Sequence, residues 1–215
     1  KKSEDIFTLL YYNRYTLTKF LEQHIQRIEN KITRFKKISN NLSGYRLGLF
    51  ICTVFFAFFA IERIPDGVYT ILLIALIIAF LYMVDKHRKV EQFLERLAYL
   101  KEIKEDHLAR ISLDWEKLPA EPQSFTVKKN HPFALDLNIT GESSLLRLLN
   151  TTIYEGSFKK LASWLLQEKP DREQALARQK NVESFKNLTI LRDRLRVEAK
   201  FTQNNQRKGD WSMDQ

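Results

Sequence analysis

A chain of 215 residues with 35 Lys+Arg against 26 Asp+Glu carries a net charge of +9, which favours anionic partners, either phospholipid headgroups or nucleic acid. Its single cysteine, Cys52, excludes an internal disulfide, and its six glycines form neither a GxxxxGK[ST] nor a GxGxxG phosphate loop. No HExxH pair, no His/Cys cluster and no GxSxG elbow occurs, so the sequence offers no catalytic, cofactor or metal site of its own.

Residues 1–44 read as a cytoplasmic amphipathic helix. Within it, Leu21, Ile25, Ile28, Ile32, Phe35, Ile38 and Leu42 step by four and three, the narrow stripe of a coiled-coil seam. Residues 45–84 follow as two uncharged apolar runs, 47–61 and 67–84, separated by Glu62-Arg63-Ile64-Pro65-Asp66. At the helical rise the runs extend roughly 22 Å and roughly 27 Å, against ~30 Å of bilayer hydrocarbon. Pro65-Asp66-Gly67 is expected to supply the reversal, giving a transmembrane hairpin. A buried hairpin in a soluble core competes with this reading, but the polar remainder is too short to wrap two helices that are apolar all round. Arg34, Lys36, Lys37 and Arg46 precede the first run, and Lys86, Arg88, Lys89 and Arg96 follow the second, whereas the connection holds only Arg63. That bias places both flanks, and so both termini, in the cytoplasm. Cys52 falls within the first span and is expected to pack there. The first apolar run starts too deep in the chain for a signal peptide.

Residues 85–118 form a second stalk helix, with Val90, Leu94, Leu97, Leu100, Ile103, Leu108 and Ile111 as its stripe. The hairpin would set the two stripes side by side as an antiparallel coiled coil, although the same seam also suits pairing between two chains. His24 and His107 lie on these helices and are expected to be solvated, and Glu102 and Glu105 to pair with neighbouring lysines. Pro119 and Pro122 mark a linker.

Residues 119–200 form a separate unit. Phe133, Leu135, Leu137 and Ile139 alternate with small or polar residues, which predicts a short strand ended by Gly141 and entered through His131-Pro132. Ser143 or Ser144 caps a short helix through Leu149, with Asn150 near its end. A helix over 156–167 is expected to bury Phe158, Leu161, Trp164 and Leu165. Asp171 and Gln174 after Pro170 have capping-box spacing and open a third helix with Ala175, Val182, Phe185 and Leu188 on one face. Residues 201–215 show no periodicity and stay unassigned. The chain opens on Lys-Lys and ends at Gln215 in a polar stretch, so a longer parent protein is expected.

Basic residues recur through the last third: Arg147, Lys159, Lys160, Arg172, Arg178, Lys186, Arg192, Arg194 and Arg196. They make a candidate nucleic-acid face, of which Lys159, Lys160, Arg172 and Arg178 are the leading contacts. Interspersed Glu155, Glu168, Glu173 and Glu183 argue instead for a solvated helix surface.

The stretch SLLRLLNTTIYEGSFKKLASWLLQEKPDREQALARQKNVESF, from Ser144, resembles the start of the core (lever) domain of the MutS mismatch-repair ATPases. The matching positions are Leu145, Leu149, Asn150, Thr152, Leu161, Trp164, Leu165, Arg178, Gln179 and Val182. The preceding HPFALDLNITGESSL is similar to the lead-in of a MutS-related branch with N-terminal membrane spans. The resemblance covers about residues 131–190 and implies a mainly α architecture: a transmembrane hairpin, a stalk, a short strand and the start of a lever domain. It further implies an ATPase domain using ATP and magnesium elsewhere in the full-length protein, a homodimer, and duplex DNA as a candidate partner of its clamp. A non-enzymatic membrane scaffold that binds protein partners is the competing reading.

Overall fold

The computed structural model describes residues 2–59, 65–122, 125–126 and 131–213, with side chains over 14–59, 65, 67–122, 125–126 and 131–206. These residues form six helices: α1 (Lys2–Phe59), α2 (Asp66–Ser112), α3 (Leu145–Leu149), α4 (Glu155–Leu165), α5 (Arg172–Lys186) and α6 (Thr189–Met213). No strand occurs among the described residues. The chain divides into two units, Gln26–Ala98 on the one hand and Lys1–Ile25 with Tyr99–Gln215 on the other.

Within Gln26–Ala98, α1 and α2 run antiparallel. Phe35 meets Phe93 edge-on at 4.9 Å, Phe50 meets Phe80 at 5.9 Å, and Phe56 stacks on Tyr69 at 5.7 Å. As the α1 partner advances, the α2 partner retreats, which is the register of a hairpin. The Tyr69 hydroxyl donates to the Ala57 carbonyl at 2.9 Å, satisfying a phenol on an otherwise apolar segment. Residues 60–64 lie outside the described residues. Pro65, expected to help reverse the chain, instead starts α2: its carbonyl accepts from the amides of Val68 and Tyr69, both at 3.0 Å. Proline suits this place because its fixed φ and missing N–H cost nothing at a helix start.

The segments Arg14–Phe59 and Gly67–Ser112 are long and apolar enough to cross a membrane. Their most apolar windows are not buried at all, with Phe58 76% and Ile71 68% exposed. A core helix of a water-soluble domain would be covered, and these faces are not. Cys52, expected to pack, is exposed on this surface. The α1 stripe turns inward at Ile28 but not at Ile38, which is exposed; the neighbouring Ser39 takes the buried place beside His87.

The second unit holds the linker and the short helices. At the end of α2, Asp114 N–H reaches the Ala109 carbonyl at 2.9 Å while Leu113 adopts φ 57°, a Schellman stop built without glycine. The strand expected over 133–139 is absent. Ile139 N–H bonds to Ala134 O and Asn138 N–H to Leu135 O, with Asn138 at φ 46°, so this segment is a second Schellman turn. Ala134 and Ile139 are buried together in the spacing that motif requires, while Leu135 and Leu137 face out. Lacking a partner strand, the backbone satisfies its polar groups locally.

Ser144 caps α3 by accepting from Arg147 N–H, and Asp171 caps α5 by accepting from the amides of Glu173 and Gln174. Gln174 returns its side chain to the Asp171 carboxylate at 2.9 Å rather than to the backbone. α3 packs on α4 through Leu146, Phe158 and Ala162, with Phe125, Leu161 and Leu165 around them. Trp164, expected in this core, is 45% exposed. The unassigned tail is helical through Met213, as the end of α6.

Candidate functional site

The last turns of α2 carry Lys104, Asp106, His107 and Arg110, and one face of α6 carries Asp193, Arg196 and Lys200. Residues three, four and seven apart share a helix face, so each helix offers a mixed-charge strip. The strips match. Lys104 pairs with Asp193 at 2.5 Å, Asp106 with Arg196 at 3.2 Å, and Glu102 with Lys200 at 2.5 Å. The first two pairs are largely shielded from solvent, where separating either partner leaves a costly unpaired charge.

His107 sits inside this cluster, not in solvent as its helix position suggested. The Arg196 guanidinium donates to its Nε2 at 2.8 Å. Burial pushes the imidazole below its ordinary 6.5, and the Arg196 and Lys104 cations push the same way against Asp193 and Asp106. His87 is likewise buried, 3.5 Å from Ser39 Oγ, and His131 places Nε2 2.9 Å from the Leu166 carbonyl at the end of α4.

Two arginines then tie the helices together. Asp106 holds Arg110 through both carboxylate oxygens, at 2.8 and 3.2 Å. The rest of that guanidinium donates to the carbonyls of Arg147 at 2.9 Å, Leu148, and Asn150 at 2.6 Å. These are carbonyls at the C-terminal end of α3, which have no partner within the helix. Arg147 turns the other way, donating to Pro119 O at 3.0 Å, Glu142 O at 2.5 Å, Trp115 O at 2.6 Å and Leu118 O at 2.5 Å. Glu121 closes the linker by accepting from Ser144 Oγ at 2.9 Å and Gly141 N–H at 3.2 Å. Linker, α2, α3 and α6 are thereby fastened at one junction. Apart from Arg196 Nε, which is buried without a hydrogen-bond partner, the arginine donors named here are committed to protein acceptors.

The expected nucleic-acid face is correspondingly thinner. Arg147 and Arg196 point into the junction. Lys159 pairs with Glu155 at 2.8 Å, and Arg172 is exposed at the start of α5. Lys160 and Arg178, from α4 and α5, converge on Trp164, with charges 5.9 and 5.0 Å from its ring centroid. An exposed aromatic face beside two cations is what single bases or phosphates use for stacking and pairing.

Of the other positions on which the expected resemblance rests, Asn150 Oδ1 accepts from Thr152 N–H at 3.1 Å and from its hydroxyl at 2.7 Å, shaping the turn after α3. Leu161 and Leu165 border the core, whereas Leu145, Gln179 and Val182 are exposed. The sequence does not mark Asp106, Arg110 or Asp193 as a site, and it offers Arg196 only as one of the basic residues of the candidate nucleic-acid face. The one local signal was the Asp106/Arg110 spacing, which marks a helix-face pair but not its distant acceptors. Compared with protein-family models, curated proteins and solved structures, the chain matches none.

Proposed function

We propose that this chain is the membrane-anchoring N-terminal region of a MutS-related ATPase, with both termini cytoplasmic. The hairpin fixes the protein in the bilayer, and the helical unit passes motion between an ATPase domain outside these residues and a clamp on duplex DNA or another partner. The supporting observation is that α2 continues without a break from its apolar stretch to Arg110, the residue that holds the end of α3. The basic flanks of the spans support the orientation, and the residues quoted from Ser144 onward support the family.

Alkaline carbonate extraction tests the anchor: the protein should stay with the membrane pellet. The reading frame after Gln215 tests the family. A GxxxxGK[ST] loop there, with magnesium-dependent ATP hydrolysis by the full-length protein, is the expected result. A reading frame without a nucleotide-binding domain removes the ATPase reading.

A second reading, a non-enzymatic membrane scaffold, draws on one observation. Val182, Ile190 and Leu195 on α5 and α6 are 69%, 83% and 58% exposed, apolar surface of a kind that docks a partner helix. Salt separates the two: DNA binding weakens steeply as salt rises, whereas apolar docking does not.

A further inference from the structure

Between α1 and α2, inside Gln26–Ala98, lies a groove of about 470 Å³. Its polar end is formed by Asn40, Ser43 and Arg46, and its apolar end by Leu47, Phe50 and Phe80. The change from polar to apolar follows the sequence along one helix face, since positions 40, 43, 47 and 50 recur at helical spacing. Over ten residues that face is roughly 15 Å long, comparable to a lipid headgroup with the first carbons of its acyl chain. Arg46 is the last cation before the first apolar run, so on the membrane reading it stands at the headgroup level of the cytoplasmic leaflet.

Arg46 is half-buried and makes no hydrogen bond or ion pair with any described residue. No carboxylate lines the groove. Asp85, the acidic residue just after the second apolar run, is already held by Lys89 at 2.7 Å and Arg88 at 3.0 Å. Arg34, Lys36, Lys37, Lys86, Arg88 and Lys89 add positive charge on both flanks. A zwitterionic headgroup would bring its own cation into this field; an anionic one would not. The guanidinium fork matches two phosphate oxygens, while the Ser43 hydroxyl and Asn40 amide offer neutral donors for the glycerol side. Phe50 and Phe80, in ring contact at 5.9 Å, together form one apolar wall.

We propose that this groove is a binding site for one anionic phospholipid of the cytoplasmic leaflet, its phosphate on Arg46 and its acyl chain lying along Leu47 and the contacting pair Phe50 and Phe80. The inference rests on the membrane reading above and adds to it a ligand class and a site. Gly44 gives an independent handle: it lines the groove, and a Cβ there meets nothing within 4 Å. Gly44→Leu therefore fills the groove without a clash, favours the helix and leaves every charge in place.

The test is to reconstitute the chain in nanodiscs of phosphatidylcholine with a minority of phosphatidylglycerol, extract it, and count retained lipid by native mass spectrometry. The wild-type chain should retain phosphatidylglycerol in preference to phosphatidylcholine. Arg46→Gln should lower retention about fivefold, the weight of one cation at an anionic surface, and Arg46→Lys should keep most of it. Gly44→Leu should lose the lipid as well, while Lys31→Gln, exposed on α1 and nine residues before Asn40, should behave as wild type. Retention unchanged in Gly44→Leu, equal loss in Lys31→Gln, or no preference between the two lipids each overturns the site. Release of a second copy of the chain by Gly44→Leu, in place of lipid, assigns the groove to a dimer contact and overturns it too. Carbonate extraction of the same variants separates the failures. Resistant protein without phosphatidylglycerol overturns the groove alone, and extracted protein overturns the anchor with it.

Discussion

The guanidinium of Arg196 donates to Nε2 of His107 at 2.8 Å, which leaves the imidazole neutral with its remaining proton on Nδ1. Burial, then Arg196 and Lys104, lower the folded pKa below the ordinary 6.5, and Asp193 and Asp106 only partly oppose them. The unfolded chain takes up this proton more readily than the folded one. The stabilising contribution is therefore complete above about pH 6.5 and is lost as pH falls toward the folded value. Melting temperature should drop on acidification from neutral pH to about 5, and His107→Gln, which still accepts from Arg196, should flatten that drop. Parallel pH profiles for the two proteins would remove His107 as the source of the dependence.

Arg147 gathers four backbone carbonyls from the linker and the turn before α3. Removing it leaves the partly buried carbonyls of Trp115 and Leu118 without this donor. Arg147→Leu should destabilise the protein by about 3 kcal/mol and expose residues 115–122 to proteases. Arg147→Lys should recover less than half of this, because one ammonium cannot span the same fork of acceptors. Arg172→Ala, on an exposed site, should stay within about 0.5 kcal/mol of wild type in the same urea titration. A similarly small effect for Arg147→Leu would remove the junction as a fixture.

What the sequence discloses depends on how far a residue reaches. Ser144 and Asp171 were readable as caps because each accepts from amides two or three positions along, and the two long apolar helices were readable because an all-round apolar run needs no partner to define it. The alternation over 133–139 misled because period two implies a strand only where a second strand accepts its hydrogen bonds. Asn138, able to adopt positive φ, was the overlooked sign of a turn. Arg110 and Arg147 were opaque for another reason: their acceptors lie far along the chain, and nothing in a helix periodicity says which carbonyls a long side chain will find. Trp164 was misplaced by treating a large aromatic as core, when its ring serves as a surface for Lys160 and Arg178.

Leu113 holds φ 57° at the end of α2, a conformation that crowds its Cβ against the following carbonyl. Its side chain is largely exposed, so little packing is lost by removing it. Leu113→Gly should stabilise the α2 stop by about 0.5–1 kcal/mol, seen as slower hydrogen exchange at the Asp114 amide. Asn138→Ala, at φ 46°, should act in the opposite direction by about 1 kcal/mol. A neutral Leu113→Gly would mean that the glycine entropy of the unfolded chain cancels the relief of strain.

If duplex or single-stranded DNA is the ligand, the contact should centre on Trp164, because Arg147 and Arg196 are already committed inside the protein while Lys160 and Arg178 lie beside an exposed ring. Each cation that meets a phosphate releases about one counterion, so Lys160→Gln and Arg178→Gln should each reduce the slope of log K against log salt by about 1. Trp164→Ala should weaken single-strand binding by about 1–3 kcal/mol while leaving that slope almost unchanged, since stacking is not an ionic term. Lys159→Gln should do less than Lys160→Gln, because Glu155 already holds Lys159. Salt-insensitive binding, or equal effects at Lys159, Lys160 and Arg178, would instead assign the helical unit to a protein partner and leave Trp164 as an apolar docking point.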